Sequence, residues 1–169
     1  AVDKAPADAV DAAILYFAYD REDVILDFVK PDGTSAAPDT LDQRYLHGAA
    51  FDEVFAQDNA ADAVHWYLTD HLGTAKDVVE NSGAVADHLA YDSFGTIESQ
   101  SGVVPMRYAF TGRESDVDVG LVYYRNRYFA TDGGRFLSKD PIGFLAGDAN
   151  LYRYVFNQST TGIDPSGLD

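Results

Sequence analysis

The sequence predicts an all-β fold with little helix, in which successive β-hairpins wind into one curled sheet. Runs rich in aromatic and β-branched residues recur about every 8 to 12 residues, with turn signals between them. No stretch keeps a helical period of apolar residues. Of the 169 residues, 46% are hydrophobic and 13% are aromatic, which is enough for a substantial buried core. We therefore expect one continuous domain.

The elements follow from these runs in chain order. Residues 1–13 are rich in Ala and Asp without periodicity, and we expect a tail. Strands at 14–19 and 24–29, joined by a polar turn at 20–23, predict the first hairpin. In the next turn, at 30–34, Pro31 presets φ and Gly33 supplies a positive φ, and residues 35–40 predict a loop. The further predicted strands are 41–46, 53–57, 64–69, 75–80, 84–91, 96–99, 106–111 and 150–156.

The stretch 121–144 concentrates aromatic and basic residues and predicts a central β-hairpin. Alternation from Leu121 places Tyr123, Arg125 and Arg127 on one face of a strand. The turn signal at 131–134 reverses the chain. Asp140-Pro141 then ends the returning strand, because proline lacks a donor for the strand ladder. We expect this hairpin to bring an arginine and an aspartate to one corner.

Charge and composition narrow the function classes. The net charge of −16 argues against nucleic acid or an anionic membrane as a partner. No apolar run approaches the roughly 20 residues that would span a bilayer, so we expect no membrane insertion. The acidity is consistent with a saline extracellular setting and equally with ordinary solubility. The chain begins at Ala1 without a visible signal peptide, and we expect a start set by processing or by a cut.

Cofactor and metal sites find no support. The chain has no cysteine, which excludes thiolate catalysis and disulfides. The spacing of its histidines, His47, His65, His71 and His88, does not match a metal site. No glycine-rich nucleotide motif is present either. We expect no cofactor and no metal.

From Tyr67 onward the chain contains a series of motifs: YLTDHLGTAKDVVENSG (67–83), YDSFG (91–95), FTGRE (110–114), GLVYYRNRYF (120–129), GRFLSKDPIGF (134–144), NLYRYVFN (150–157) and DPSGL (164–168). In these motifs and in their order the chain resembles the RHS (YD-repeat) associated core domain. Residues 14–63 resemble the YD-type hairpins that precede such a core, and the core itself is expected at 64–169.

The resemblance implies a structural role and a self-cleavage. RHS proteins form spirally wound β-shells that enclose a C-terminal toxin, and the core domain closes one end. Many members are aspartyl-type self-proteases that cut after the Leu of the DPxGL motif, here between Leu168 and Asp169. The expected partners are therefore an upstream YD-repeat shell and a C-terminal cargo of the same polypeptide, in a secreted or cell-surface protein.

Carried over by motif, the resemblance makes Asp140 one catalytic aspartate and Arg135 its charge partner. The second aspartate is expected where this chain has Ala130. An aspartyl mechanism needs two carboxylates that share a proton, and a methyl group cannot replace one of them. Asp132 could substitute only if the turn redirected its side chain. Whether Ala130 is natural or introduced stays open.

Three functions remain as hypotheses. The first is a structural RHS core module that closes the shell and carries an uncut junction. The second is an active, single-turnover aspartyl self-protease that releases a toxin. The third is a separate extracellular unit that self-assembles through exposed strand edges into a fibre or oligomer.

Overall fold

The computed structural model of the chain describes residues 14–30, 40–61, 63–116 and 119–168. These residues form strands and 3₁₀ turns but no α-helix, so the all-β prediction is confirmed. The predicted tail at 1–13, the turn residues 31–34 and the loop residues 35–39 lie outside them.

The strands form two sheets. The first sheet contains β1 (Ile14–Asp20), β2 (Asp23–Lys30), β3 (Thr40–His47), β4 (Val54–Asn59), β5 (Val64–Thr69), β6 (Ala75–Glu80), β7 (Val85–Tyr91) and β8 (Ile97–Gln100). The second contains β9 (Glu114–Asp116), β10 (Leu121–Tyr124), β11 (Arg127–Ala130) and β12 (Arg135–Phe136).

The first sheet is a meander in which each strand pairs antiparallel with the next, from β1 to β8. Nearly every pairing contains a bulge, for example between Ala18 and Tyr19 and between Leu46 and His47. Each bulge increases the local twist, so a row of bulged hairpins curls instead of lying flat. The succession of hairpins that the sequence predicts is therefore confirmed. The boundary predicted between residues 63 and 64 falls inside this sheet, between β4 and β5.

Two turns of this sheet share the local sequence Asp-x-x-Gly-Thr and one structure. The Asp70 carboxylate accepts hydrogen bonds from the backbone N–H groups of Leu72 at 2.9 Å and Thr74 at 3.0 Å. Asp92 makes the same pair of bonds in its own turn. Gly73 has a φ of +82°, a conformation that glycine adopts without a steric penalty. These turns close hairpins because the aspartate satisfies two backbone donors locally.

One face of the first sheet, the inner face, is covered by the segment that follows β8. Tyr108 from this segment is 2% exposed. Its hydroxyl donates to the Val24 carbonyl at 2.9 Å and accepts from the Val24 N–H at 3.0 Å. The apolar core that results contains Val54, Tyr67, Ala75, Val78 and Tyr108. A tyrosine thus pins the later chain across the earlier hairpins.

A second core, almost entirely aromatic, lies under the second sheet. Its buried members are Phe110, Val122, Tyr124, Phe129, Phe136, Tyr154 and Val155. The Tyr124 hydroxyl is 2.7 Å from Thr111 Oγ1 and donates to the Tyr154 hydroxyl at 3.0 Å. The buried phenols are therefore hydrogen-bonded, as buried polar groups need to be.

The central stretch forms three short strands, and the predicted side-chain alternation is wrong. The chain already reverses at Arg125 and Asn126, where Arg125 has a φ of +53°. Tyr124 pairs with Arg127 across this turn, so Arg127 lies on the face of Tyr124 and not on that of Tyr123. An Arg-Asn turn carries no glycine or proline signal, and the aromatic run therefore looks like one strand. The reversal at 131–134 occurs as predicted.

Two predicted strands are also wrong. In 106–111, Tyr108 makes only an isolated bridge with Glu114, and Phe110–Gly112 is a 3₁₀ turn. In 150–156, Arg153 makes an isolated bridge with Arg135, and Val155–Asn157 is a 3₁₀ turn. Short aromatic runs have a strand-like composition. Here the packing of single rings into the core decides the backbone path, which periodicity cannot reveal.

Candidate functional site at the C-terminal junction

Two turns have the sequence Asp-Pro-x-Gly, at 140–143 and 164–167, and in each the glycine N–H donates to the aspartate carbonyl, at 3.0 Å in the first and 3.4 Å in the second. In the first, Asp140 Oδ1 accepts from the Ile142 N–H at 2.8 Å. In the second, Asp164 Oδ1 accepts from the N–H groups of Gly167 at 2.7 Å and Leu168 at 3.1 Å. In both turns one carboxylate oxygen holds the turn, so the other can point elsewhere.

Arg127 on β11 joins the two turns. Its Nη2 lies 3.2 Å from Asp140 Oδ2 and 3.3 Å from Asp164 Oδ2. The side chains of Arg127, Asp140 and Asp164 are 1%, 3% and 0% exposed. The guanidinium also lies over the Phe136 ring, 3.6 Å from its centroid. Because charges are buried only when they are paired, this cluster depends on all three groups.

Three consecutive residues at the reversal between β10 and β11 hold three consecutive carbonyls of the C-terminal segment. Arg125 and Asn126 form the turn and Arg127 begins β11, and we call these three residues the hairpin clamp. Arg125 Nη1 donates to the Pro165 carbonyl. Asn126 Nδ2 donates to the Ser166 carbonyl at 3.0 Å, and Arg127 Nε donates to the Gly167 carbonyl at 2.5 Å. The clamp fixes the backbone immediately before Leu168.

Gly167 allows this close approach. It has a φ of +71°, and a Cβ atom at this position would lie 2.0 Å from the Tyr124 carbonyl oxygen. Any other residue would force the C-terminal segment away from β10. The glycine of the DPSGL motif is therefore required by packing as well as by its backbone conformation.

A second ion cluster supports the clamp from the other side. The Asp52 side chain is 8% exposed and forms ion pairs with two arginines. One is Arg113, and the other is Arg125, whose Nη2 lies 2.9 Å from Asp52 Oδ1. Arg125 Nη2 is also 3.3 Å from Asp23 Oδ1 at the start of β2. The segment at the C-terminus is thus connected through one arginine to the N-terminal hairpin.

The structure brings together only some of the predicted site residues. Asp140 lies in the Arg127 cluster, and Leu168 directly follows the clamped carbonyls. Arg135 lies outside this cluster: its side chain is exposed, with the guanidinium 5.7 Å from the centre of the Tyr152 ring. The arginine that contacts Asp140 is Arg127. Asp169, on the far side of the predicted scissile bond, lies outside the described residues.

Ala130 and Asp132 do not complete a carboxylate pair with Asp140. Ala130 is 8% exposed, and it pairs with Leu121 and Arg135. Strand alternation therefore puts its Cβ on the face of β11 opposite to Arg127. Asp132 is exposed in the turn between β11 and β12. The second carboxylate beside Asp140, on the same guanidinium, is Asp164.

Sequence reasoning missed Arg127, Arg125 and the participation of Asp164 in the buried cluster. One signal was present: the motif Asp-Pro-x-Gly occurs twice, at 140–143 and 164–167. A repeated Asp-Pro-x-Gly motif in a chain that also has a run of arginines suggests a shared partner. The identity of that partner depends on the reversal at Arg125, which is marked by neither a glycine nor a proline.

The arrangement is suited to holding a backbone in place. Aspartyl chemistry uses two carboxylates that share a proton and lie against a water or a scissile carbonyl. Here two carboxylates share a guanidinium that also donates to the Gly167 carbonyl. Charge-assisted hydrogen bonds of this kind are short and directional, and they fix geometry.

The part of the chain that the structure describes contains neither a group of metal ligands nor a helix long and apolar enough to cross a membrane. Within it, no three His, Cys, Asp or Glu residues are grouped as metal ligands. His88 Nδ1 lies 2.7 Å from Asp77 Oδ1 on the surface, and the His47 ring packs edge-on against Tyr108. None of the described helices could cross a bilayer.

Residues 47–160 match the family model described as teneurin YD-shell. Among curated proteins, the chain is 36% identical over 107 residues to "Toxin protein Tse5" of Pseudomonas aeruginosa. The matched stretch covers 62% of this chain and 8% of that protein. It is 33% identical over 155 residues to "Double-stranded DNA deaminase toxin A" of Burkholderia cenocepacia, which covers 83% of this chain and 11% of that protein. The chain thus spans a small part of these relatives.

Solved structures show the same fold. A crystal structure of TcdB2-TccC3 without its hypervariable C-terminal region has a TM-score of 0.76 and 21% sequence identity, over 96% of this chain and 8% of that one. A crystal structure of TcdB2-TccC3 has a TM-score of 0.73 and 23% identity, over 94% of this chain and 8% of that one. At these identities the likeness concerns the fold alone.

Proposed function

The chain belongs to the teneurin YD-shell family, as an RHS/YD-repeat associated domain of toxin-related proteins, and from this we propose that it closes one end of a β-shell and holds the junction to a C-terminal cargo. In this role the eight-stranded sheet continues the wall of an upstream shell. The segment 164–168 is the exit of the chain toward the cargo. The parent protein would be secreted, since its relatives are named as toxins.

The observation that carries this proposal is the hairpin clamp. Three successive side chains hold three successive carbonyls directly before Leu168, and the cluster of Arg127 with Asp140 and Asp164 anchors the same segment in the core. Buried ion pairs at the end of a segment support a role in which the position of that end has to be fixed. A free tail would need no buried charge.

We propose further that the junction stays uncut in this chain. Ala130 stands where the family resemblance expects the second catalytic aspartate, and strand pairing supports a Cβ on the face opposite to Arg127. Asp140 is meanwhile committed to Arg127 and to the Ile142 N–H. Two carboxylates that share a proton are therefore not available from Asp140 and position 130.

The test is a chain extended past Asp169 with a folded reporter and followed by intact mass. The unaltered chain is expected to stay whole, and a fragment ending at Leu168 would refute the uncut junction. Ala130→Asp restores the expected acid, and Ala130→Asn is the matched control without a carboxylate. A fragment from Ala130→Asp alone would identify Ala130 as the inactivating residue. If neither variant gives a fragment, the self-protease hypothesis is discarded.

An active self-protease is the second candidate. The observation that favours it is a pair of buried carboxylates, Asp140 and Asp164, on one guanidinium whose Nε reaches the Gly167 carbonyl. If this pair performs cleavage, the extended chain with Ala130 in place is cut and Asp140→Asn abolishes the cut.

Self-assembly through strand edges is the third candidate. It is favoured by β1, the edge of the first sheet, where Leu15 and Tyr19 are 51% and 56% exposed. Exposed edges with apolar side chains pair readily with further strands. Size-exclusion chromatography decides: concentration-dependent oligomers would support assembly, and a monodisperse monomer would refute it.

A further inference from the structure

The outer face of the first sheet, opposite to Tyr67 and Val78, carries a slot with two tall walls and a low floor. Leu46 on β3 pairs with Ala56 on β4, and Ala56 pairs with Trp66 on β5. Paired residues project from the same face, so the small Ala56 leaves a gap between two large side chains. The cavity measures about 260 Å³, and its lining includes Arg44, Leu46, Ala56, Asp58, Val64 and Trp66.

The slot offers room for one ring between its walls. Neighbouring strands lie about 4.8 Å apart, so the walls rise from backbones about 9.6 Å apart. Ala56 itself is only 4% exposed, so a ligand would contact the walls and the polar end and would lie above the floor. The walls themselves are accessible, because Leu46 is 52% exposed and Trp66 is 40% exposed.

The indole of Trp66 is held in place before any ligand arrives. Its Nε1–H donates to Asn81 Oδ1 at 2.7 Å, in the turn after β6. This bond holds one edge of the ring, and the indole, which is 40% exposed, lines the cavity together with Ala56. A platform that is already ordered loses little entropy when a ligand stacks on it.

One end of the slot is polar. Arg44 Nε donates to Asp58 Oδ1 at 2.8 Å, and the two side chains are 43% and 23% exposed. A carboxylate offers about four acceptor positions, of which this bond occupies one. Asp58 can therefore accept hydrogen bonds from the hydroxyl groups of a ligand, and these would be charge-assisted and strong.

We propose that this slot binds a neutral hexopyranose, with the C–H face of the sugar against Trp66 and its hydroxyl groups at Asp58 and Arg44. The ring C–H groups carry a slight positive charge, which complements the negative face of the indole. A net charge of −16 disfavours anionic ligands. Arg44 next to Asp58 disfavours a cation over the indole, so a neutral polyol is the ligand that matches every group. The site is independent of the C-terminal junction and of the function proposed for it.

The test uses the only tryptophan of the chain as its reporter. The chain is titrated with the methyl glycosides of glucose, galactose, mannose and N-acetylglucosamine while Trp66 emission is recorded, and with choline and arginine as cationic probes. We expect a saturable change with at least one glycoside, in the millimolar range that suits a single ring on an open site.

Two variants locate the site. Ala56→Leu fills the slot without altering Trp66 and is expected to weaken binding at least 10-fold. Asp58→Asn keeps the shape of the rim and is expected to weaken it several-fold. Leu68→Ala, which changes an exposed residue of the same strand outside the slot, is the matched control and should bind like the unaltered chain. Circular dichroism checks the folding of each variant, and Asp58→Asn decides if Ala56→Leu does not fold.

Each remaining outcome overturns the proposal. The absence of a saturable response to any of the four glycosides refutes a sugar site. Binding that survives both Ala56→Leu and Asp58→Asn places the sugar elsewhere. A response confined to choline or arginine shows a cation site instead.

Discussion

Replacing Arg127 by methionine removes the charge that joins the two Asp-Pro-x-Gly turns while nearly keeping the length of the side chain. Asp140 and Asp164 then remain buried, 3% and 0% exposed, without the guanidinium between them. The Gly167 carbonyl also loses its donor at 2.5 Å. The perturbation therefore affects the C-terminal segment and the core at once.

The magnitude follows from the burial. Removing one partner of a buried ion pair costs about 3 to 5 kcal/mol, since an uncompensated charge is left behind. The hydrogen bonds to the Gly167 and Leu151 carbonyls involve the same guanidinium, so they are included and not added. A domain is typically stable by only about 5 to 15 kcal/mol. Arg127→Met should therefore remove a large fraction of the free energy of unfolding.

Two measurements follow the effect. Urea unfolding, recorded by Trp66 fluorescence and by circular dichroism, gives the loss in free energy of unfolding. Hydrogen exchange reports on the Gly167 and Leu168 amides, which donate to Asp164 Oδ1 at 2.7 Å and 3.1 Å. We expect these amides to lose more protection than those of the first sheet.

Arg135→Met is the matched control, because Arg135 is an exposed arginine on the adjacent strand β12. It should change stability by at most about 1 kcal/mol, as for other exposed charges. If Arg127→Met costs no more than Arg135→Met, or leaves the exchange of Gly167 and Leu168 unchanged, the reasoning about the buried cluster is refuted.

Two further predictions concern backbone fit and pH. Gly167→Ala should lower the free energy of unfolding by clearly more than the roughly 1 to 2 kcal/mol of left-handed strain, because its Cβ would be 2.0 Å from the Tyr124 carbonyl oxygen. Gly83→Ala is the control and should show the strain alone, because Gly83 has a φ of +85° and nothing lies within 4 Å of its Cβ. Equal losses of the two variants in urea unfolding would contradict the close approach. Burial, then the nearby Asp27, raises the pKa of Tyr45, and burial raises that of Tyr67. A raised folded-state pKa means that the unfolded chain releases these protons first, so the contribution of these tyrosines to stability should be complete below about pH 10 and be lost as pH rises through the raised values. Unfolding midpoints across this range, with phenolate absorbance, test this, and titration of all tyrosines near their ordinary pKa in a folded chain would contradict it.

Much of the fold could be predicted because it rests on local chemistry. The Asp-x-x-Gly-Thr turns close where the aspartates stand in the sequence, since Asp70 and Asp92 satisfy donors two and four residues away. The prediction failed where the local signal was absent or ambiguous. The reversal at Arg125 has no glycine or proline. The aromatic segment around Tyr108 has the composition of a strand, but it packs against the inner face of the first sheet and covers it.

The residues of the candidate site could likewise be predicted only in part. The sequence motifs identify Asp140 and the DPSGL segment, and the structure places both at Arg127. They do not identify the arginine, and Arg135, chosen by its position in the motif, lies at the surface. Arg127 reaches Asp164 across 37 positions of the chain, a contact that only the closure of the second sheet creates.

The all-β class, the hairpin succession and most turns can be predicted from the residues, because periodicity and turn chemistry depend on residues a few positions apart. The buried arginine, the face that Ala130 occupies and the contacts that hold the C-terminal segment depend on how distant strands pack. These depend on one reversal at Arg125, and a shift of one residue in a strand exchanges its faces. A pattern that is correct locally can therefore still assign the wrong side chain to a site formed by distant strands.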